Sequence, residues 1–307
     1  TYRCREDFAA AHRLLAAAAR SFPNDADVQE ALGLVLRRRG RLAEAIAAFQ
    51  RALSLNPRRI QLLWWQAETF RALRDYEQAD RIFSQIVAQA PDQPAYWAEM
   101  ALNRLAWRRA PAAAHAVLAE APMRDDAGLL PAAFQLAFYE RDFAAALTQA
   151  SPERMRALAP QVQSRTGVLA VVARDRMGDH RAALAAAEAN RLSLEQRTVR
   201  YPKDEFYRAY LAVTLAQLGR GAEALVQGEQ AVRQAQNDAF SGPRVVELQA
   251  MVEAILGRRR EAIGRLARLL ATPYQSAISI ADLQLNPVWD PLRGDAEFAE
   301  LLRGSGD

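Results

Sequence analysis

Trp64 and Arg71 stand seven residues apart, close to two helical turns, so a helix through them carries an indole and a guanidinium on one face. Arg37 precedes Arg71 by 34 residues, Arg38 adjoins it, and Glu68 lies one turn before Arg71. Arginine beside tryptophan is the composition of interface hot spots and also suits bidentate capture of a carboxylate. The plainer use of these residue types is packing for the indole and solvation for arginines at helix ends.

The other chemistry-bearing residues point to structure. Gly219-Arg220-Gly221-Ala222-Glu223-Ala224 has the letters of a dinucleotide loop, but that motif needs a strand before it, and here helical patterns flank it, so a turn is expected. No Gly-Lys-Ser or Gly-Lys-Thr occurs, which removes a phosphate-binding P-loop. His12, His115 and His180 are far apart, and none has a second histidine at helical metal-binding spacing. Asp125, Asp126, Asp290 and Asp295 read as helix-capping acceptors, because acid-base work would require a cleft and a perturbed pKa. Tyr201, Phe206, Tyr207 and Tyr210 with Arg200, Lys203 and Arg208 could stack bases, but Asp204 and Glu205 lie among them, so a packed helix start is the expectation. Cys4 is the single cysteine, which excludes an internal disulfide and a thiolate metal cluster. No catalytic residue, cofactor or metal is expected within these residues.

What must position the tryptophan and the arginines is a repeat. Pro23, Pro57 and Pro91 keep a step of 34 residues, as do Phe8, Leu42 and Tyr76, then Ala11, Ala45 and Ala79, then Leu15, Phe49 and Phe83. Over 41–55 the apolar positions Leu42, Ala45, Ile46, Phe49, Ala52 and Leu53 recur at steps of three and four, the stripe of an amphipathic helix. Its partner runs over 26–39. Gly33 and Ala45 are small where two helix axes approach, Gly40 makes the turn, and Pro57 ends the second helix. Such a pair cannot bury its apolar side alone, so pairs must stack. The fold class expected is all-α: a right-handed α-solenoid of about seven helix-turn-helix hairpins with a C-terminal capping helix.

Later hairpins follow at 93–121, 128–150, 162–194, 206–236 and 244–270, with Gly178, Gly219 and Gly257 at equivalent turns. The expected organisation is N-terminal repeats over 1–122 with the first one partial, an irregular hairpin and path change over 123–160, C-terminal repeats over 161–271, and a cap and tail over 272–307. At Thr1 the chain reads as starting inside a second helix, as though cut from something longer. Hydrophobic residues make up 51% and charged residues 25%, an ordered, soluble composition with no apolar run of the roughly 18 residues needed to cross a bilayer. Lys203 is the only lysine among 40 basic residues and the net charge is +4, which reads as a compositional preference for arginine before it reads as an anion-binding surface.

Leu32, Gly33, Gly40, Leu42, Ala45, Phe49, Ala52 and Pro57 resemble the tetratricopeptide repeat pattern, and Ala67, Phe70, Tyr76, Ala79, Phe83 and Pro91 repeat most of it. The ending from Asn286-Pro287-Val288-Trp289 to Leu302 is similar to the closing segment of bacterial tetratricopeptide regions that follow a receptor-type Ser/Thr kinase, an adenylate cyclase or a winged-helix regulator. That resemblance implies an end cap, and repeats that serve as a sensing or docking module. It also implies a concave groove lined by first helices, where Arg37, Arg38, Trp64, Glu68, Arg71 and Asn103 would meet a partner protein or peptide. Family members that clamp a carboxyl terminus use lysines this chain lacks, so a chaperone-type terminus is not the expected ligand.

The expected function is a non-catalytic protein-interaction or ligand-sensing scaffold of a larger bacterial signalling protein. The alternatives are the regulatory part of a kinase or cyclase whose catalytic domain lies upstream and, further off, a nucleic-acid-binding solenoid. A cytoplasmic setting is favoured, with the extracytoplasmic side of a membrane-anchored receptor also open.

Overall fold

A computed structural model describes residues 7–304; Cys4 and the last three residues of the tail lie outside them. The chain is all-α and of the α-solenoid class, with no strand among the described residues. Helix α1 (Phe8–Ser21) is followed by seven pairs: α2 (Ala26–Arg38) with α3 (Leu42–Leu55), α4 (Ile60–Ala72) with α5 (Tyr76–Gln89), α6 (Pro94–Arg108) with α7 (Pro111–Glu120), and α8 (Leu130–Tyr139) with α9 (Phe143–Gln149). After the short α10 (Pro152–Arg156) come α11 (Pro160–Arg176) with α12 (His180–Arg200), α13 (Glu205–Gln217) with α14 (Gly221–Ala235), and α15 (Gly242–Ile255) with α16 (Arg259–Leu270). The chain closes with α17 (Ile280–Leu285), a 3-10 helix at Pro287–Leu292 and α18 (Ala296–Gly304).

The hairpin turns follow one rule. Gly40, Gly178, Gly219 and Gly257 adopt φ of +72°, +81°, +75° and +73°, the left-handed conformation that ends a helix without a Cβ clash. In the other three hairpins an arginine takes that place, with φ of 61° at Arg74, 54° at Arg109 and 63° at Arg141. Several turns hand directly to an aspartate that caps the next helix: Asp75, Asp142 and Asp179 accept from the backbone N–H groups of Gln78, Ala145 and Ala182. Close approach within a hairpin is enforced at Gly33, where an added Cβ would sit 2.5 Å from the Phe49 ring. The ring of Phe49, from the second helix, lies across the glycine, and Ala45 is buried in the same core cluster as that ring.

The chain forms two compact units. The first comprises the described part of Thr1–Pro91 together with Ala235–Arg244 and Thr272–Ala277. Its core joins Leu36, Ala45, Ala48, Phe49, Ala52 and Leu62, with Trp65 packed on the rim.

The second comprises Asp92–Gln234, Val245–Ala271 and the described part of Ile278–Asp307. Phe134 and Phe138 stack at 5.8 Å in its interior. Of the closing segment's apolar residues, Trp289, Leu292 and Phe298 are fully buried in this unit and Leu301 is half-buried. Polar ties hold the closing segment: Tyr139 donates to Asp282 at 2.6 Å, and both Nη atoms of Arg141 donate to Asp290 at 2.8 Å. No helix among the described residues is long and apolar enough to cross a membrane.

Candidate functional site

The arginine and tryptophan residues of the first repeats sit on α2 and α4, whose sequences place them at the last turn of one helix and along the length of the next. Arg37 is buried, 3% exposed, with its guanidinium 3.9 Å from the Phe240 ring centroid and 5.2 Å from that of Trp65. Phe240 is itself buried and packs with Leu42 and Ala72. Glu68 stands between two arginines: Arg71 Nη2 donates to one carboxylate oxygen at 2.7 Å, and Arg37 Nη2 lies 3.5 Å from the other. Burial is the main influence on Arg37 and pushes its pKa down to about 10, while Glu68 works in the opposite direction. The guanidinium stays charged at neutral pH. Its Nε and Nη1 have no acceptor within hydrogen-bonding distance among the described residues.

Arg38, one residue on, turns to the same loop by another route. Its Nη1 pairs with Asp238 and donates to Ser241 Oγ at 2.7 Å, while its carbonyl accepts from the Ala239 N–H at 2.9 Å. Asp238 also organises its own loop, its Oδ1 accepting from the N–H groups of Phe240 at 3.0 Å and Ser241 at 2.9 Å. From Ser241 the network continues to Gln275, whose amide nitrogen lies 3.4 Å from Glu68. Gly40 is needed here twice: for its positive φ, and because an added Cβ would lie 3.2 Å from the Ala239 methyl. The result is a seat for one carboxylate and one aromatic ring, occupied by the loop at 236–241.

Of the residues singled out from the sequence, Arg37, Arg38, Glu68 and Arg71 do come together. Trp64 is half-buried and meets the Phe83 ring edge-on at 6.1 Å, with Arg71 5.6 Å over the same ring. The indole on Arg37 is the adjacent Trp65, turned about 100° around the helix from Trp64. Asn103 lies on α6, fully buried, in the second unit. Asp238, Phe240, Ser241 and Gln275 carried no signal in the sequence. They lie in loops outside the 34-residue step, about 200 residues from Arg38 and Glu68.

The remaining candidates sit as packing and capping groups. Asp126 and Asp295 accept from the N–H groups of Gly128 and Glu297. Asp290 differs from the capping role expected of it: it gathers Arg141, Arg293 and Arg176. Burial opposes ionisation there, yet hydrogen bonds from Arg141 and Arg293 prevail and hold its pKa below the ordinary carboxylate value. His12 faces Arg41, His115 faces Glu140 and His180 faces Asp175, each apart from the others. Tyr201 and Tyr207 pack ring to ring at 5.8 Å, and Asp204 caps the helix that follows. Among the described residues no group of three or more His, Cys, Asp and Glu could hold a metal ion.

Comparison with known proteins agrees with this architecture. Residues 2–60 and 36–102 match tetratricopeptide repeat family models. No curated protein matches the chain. Among solved structures, the APC/C hetero-tetramer Cut9–Hcn1 is similar with a TM-score of 0.52 and 13% identity, over 78% of this chain and 46% of that one. Yeast Tom70 matches with a TM-score of 0.47 and 15% identity, over 82% and 59%. A tetratricopeptide repeat protein from Parabacteroides merdae matches with a TM-score of 0.38 and 14% identity, over 100% and 95%. The chain thus spans about half the length of the first two.

Proposed function

We propose that this chain is a non-catalytic protein-interaction module whose first repeats bind a segment of a partner protein at the seat built by Arg37, Arg38, Glu68 and Trp65, with Arg71 and Trp64 as further partner-binding positions. One observation carries this reading: the seat already holds a loop through an ion pair and a buried aromatic ring, the two contacts by which a peptide would be held. Arrays of this kind usually act through surfaces and not reaction centres. Resemblance of the 286–302 ending to the closing segments of bacterial signalling proteins supports a docking or sensing role within a larger signalling protein. A kinase or cyclase would be the attached effector under that reading.

The test is selection from a peptide library displayed on phage, with the intact chain as bait. Enriched peptides should lose binding to the Arg37→Ala/Trp64→Ala/Arg71→Ala variant while its thermal melt stays cooperative. Equal binding to wild type and variant would place recognition elsewhere.

A further inference from the structure

We propose that residues 235–244 are an internal pseudo-ligand, holding the place of a partner segment in which an aspartate is followed two residues later by an aromatic side chain, so that the partner binds by displacing them. This rests on the reading that the first repeats bind a protein segment.

The loop behaves as a ligand in its chemistry. Asp238 divides its carboxylate, one oxygen fixing the turn of its own loop and the other meeting Arg38. Phe240, two residues on, enters the cleft between Leu42 and Ala72 and lies on the Arg37 guanidinium. Gly242 lets the loop close tightly, since an added Cβ would stand 2.3 Å from the Ala235 carbonyl oxygen. The recognition elements are therefore presented by a short, preordered turn, which lowers the entropy cost of docking.

The fit is also incomplete, and the shortfall says what a competitor must bring. The loop satisfies Arg38 but supplies no acceptor to Nε and Nη1 of Arg37, a cation that is nearly inaccessible to solvent. A buried guanidinium with two unused donors is costly. A partner that repeats the Asp-x-aromatic pattern and adds a second carboxylate toward Arg37 would make charge-assisted hydrogen bonds that the loop does not. Against it stands tethering, which gives the loop an effective concentration on the order of millimolar. An acidic peptide with an aromatic anchor is the class of ligand that can overcome that advantage.

The probe is a fluorescein-labelled peptide of sequence Ala-Gln-Asn-Asp-Ala-Phe-Ser-Gly-Pro-Arg, titrated by anisotropy into the full chain. It should bind the Asp238→Asn/Phe240→Ala variant at least tenfold more tightly than wild type, and Arg38→Ala added to that variant should remove the binding. Wild type saturated with the same peptide bearing a glutamate in place of its asparagine, which supplies the second carboxylate, should also show faster amide exchange over 238–241, a readout that survives if the double variant does not fold. Equal affinity for wild type and variant, still dependent on Arg38, overturns the pseudo-ligand and leaves the peptide-binding reading intact. Absence of binding to either protein, with cooperative melts, overturns both. Unchanged exchange in wild type under saturating peptide overturns the displacement.

Discussion

The guanidinium of Arg37 lies 3.9 Å above the ring of Phe240, a residue more than 200 positions away in the sequence and packed in the same compact unit. The contact joins a cation that burial disfavours to an aromatic face that partly compensates for lost water. Several consequences for stability and binding depend on that balance.

Replacing Arg37 by methionine should leave global stability within about 1 kcal/mol of wild type, or raise it. The methionine fills similar space on Phe240 and Trp65 and removes a buried charge, and Glu68 keeps its 2.7 Å partner Arg71. Peptide binding should fall at the same time. Urea unfolding monitored by circular dichroism decides it; a loss above about 3 kcal/mol would mean that the cation is a net stabiliser.

Phe240→Ala removes a ring that is 2% exposed, and the expected cost is about 3 kcal/mol or more, the transfer free energy of the ring plus the cavity it leaves. Equilibrium unfolding measures this directly. A cost under about 1 kcal/mol would indicate that the loop leaves its seat readily, with Leu42 and Ala72 closing over the gap.

Much of the repeat is legible in the sequence because it is local. The step from Gly40 to Arg74 is 34 residues, and both take positive φ at the hairpin turn. Arg37, Glu68 and Arg71 could be placed together because helix geometry and the repeat fix their spacing. Their partners could not. Asp238 and Phe240 sit in a loop, where no periodicity exists to read, and their docking depends on long-range packing that no local pattern encodes. The choice between Trp64 and Trp65 fails for a related reason: adjacent residues differ by about 100° around a helix, and only the packed neighbours decide which indole meets Arg37. Asp290 looked like a cap because its arginine partners lie at 141, 176 and 293, two of them far from it in sequence.

The turn rule separates backbone strain from packing. Gly178 has φ of +81° and open space around its missing Cβ, so Gly178→Ala should cost about 1–2 kcal/mol through conformation alone. Gly33→Ala tests the steric case, since Phe49 leaves no room for a methyl, and should cost about 1–3 kcal/mol. Trimming Phe49 to leucine in the Gly33→Ala background should recover part of that loss. Leucine at 49 should do nothing for Gly178→Ala, and thermal melts of the four variants distinguish the two mechanisms.

Asp290 gives the second unit a defined acid sensitivity. Its folded pKa is depressed, so the folded state holds fewer protons there than the unfolded state between the two pKa values, and stability drops as pH falls. The contribution is complete above the unfolded carboxylate value of about 4 and is lost as pH descends through the folded value below it. Asp290→Asn should remove about 2 kcal/mol at pH 7, where charge-assisted bonds from Arg141 and Arg293 are broken, and very little at the acid end of the range. The difference in unfolding free energy between wild type and variant, plotted from pH 7 down to pH 3, should therefore narrow steadily below about pH 4. A gap that stays constant would show that asparagine acts through shape and that the arginine cluster adds no charge-dependent stability.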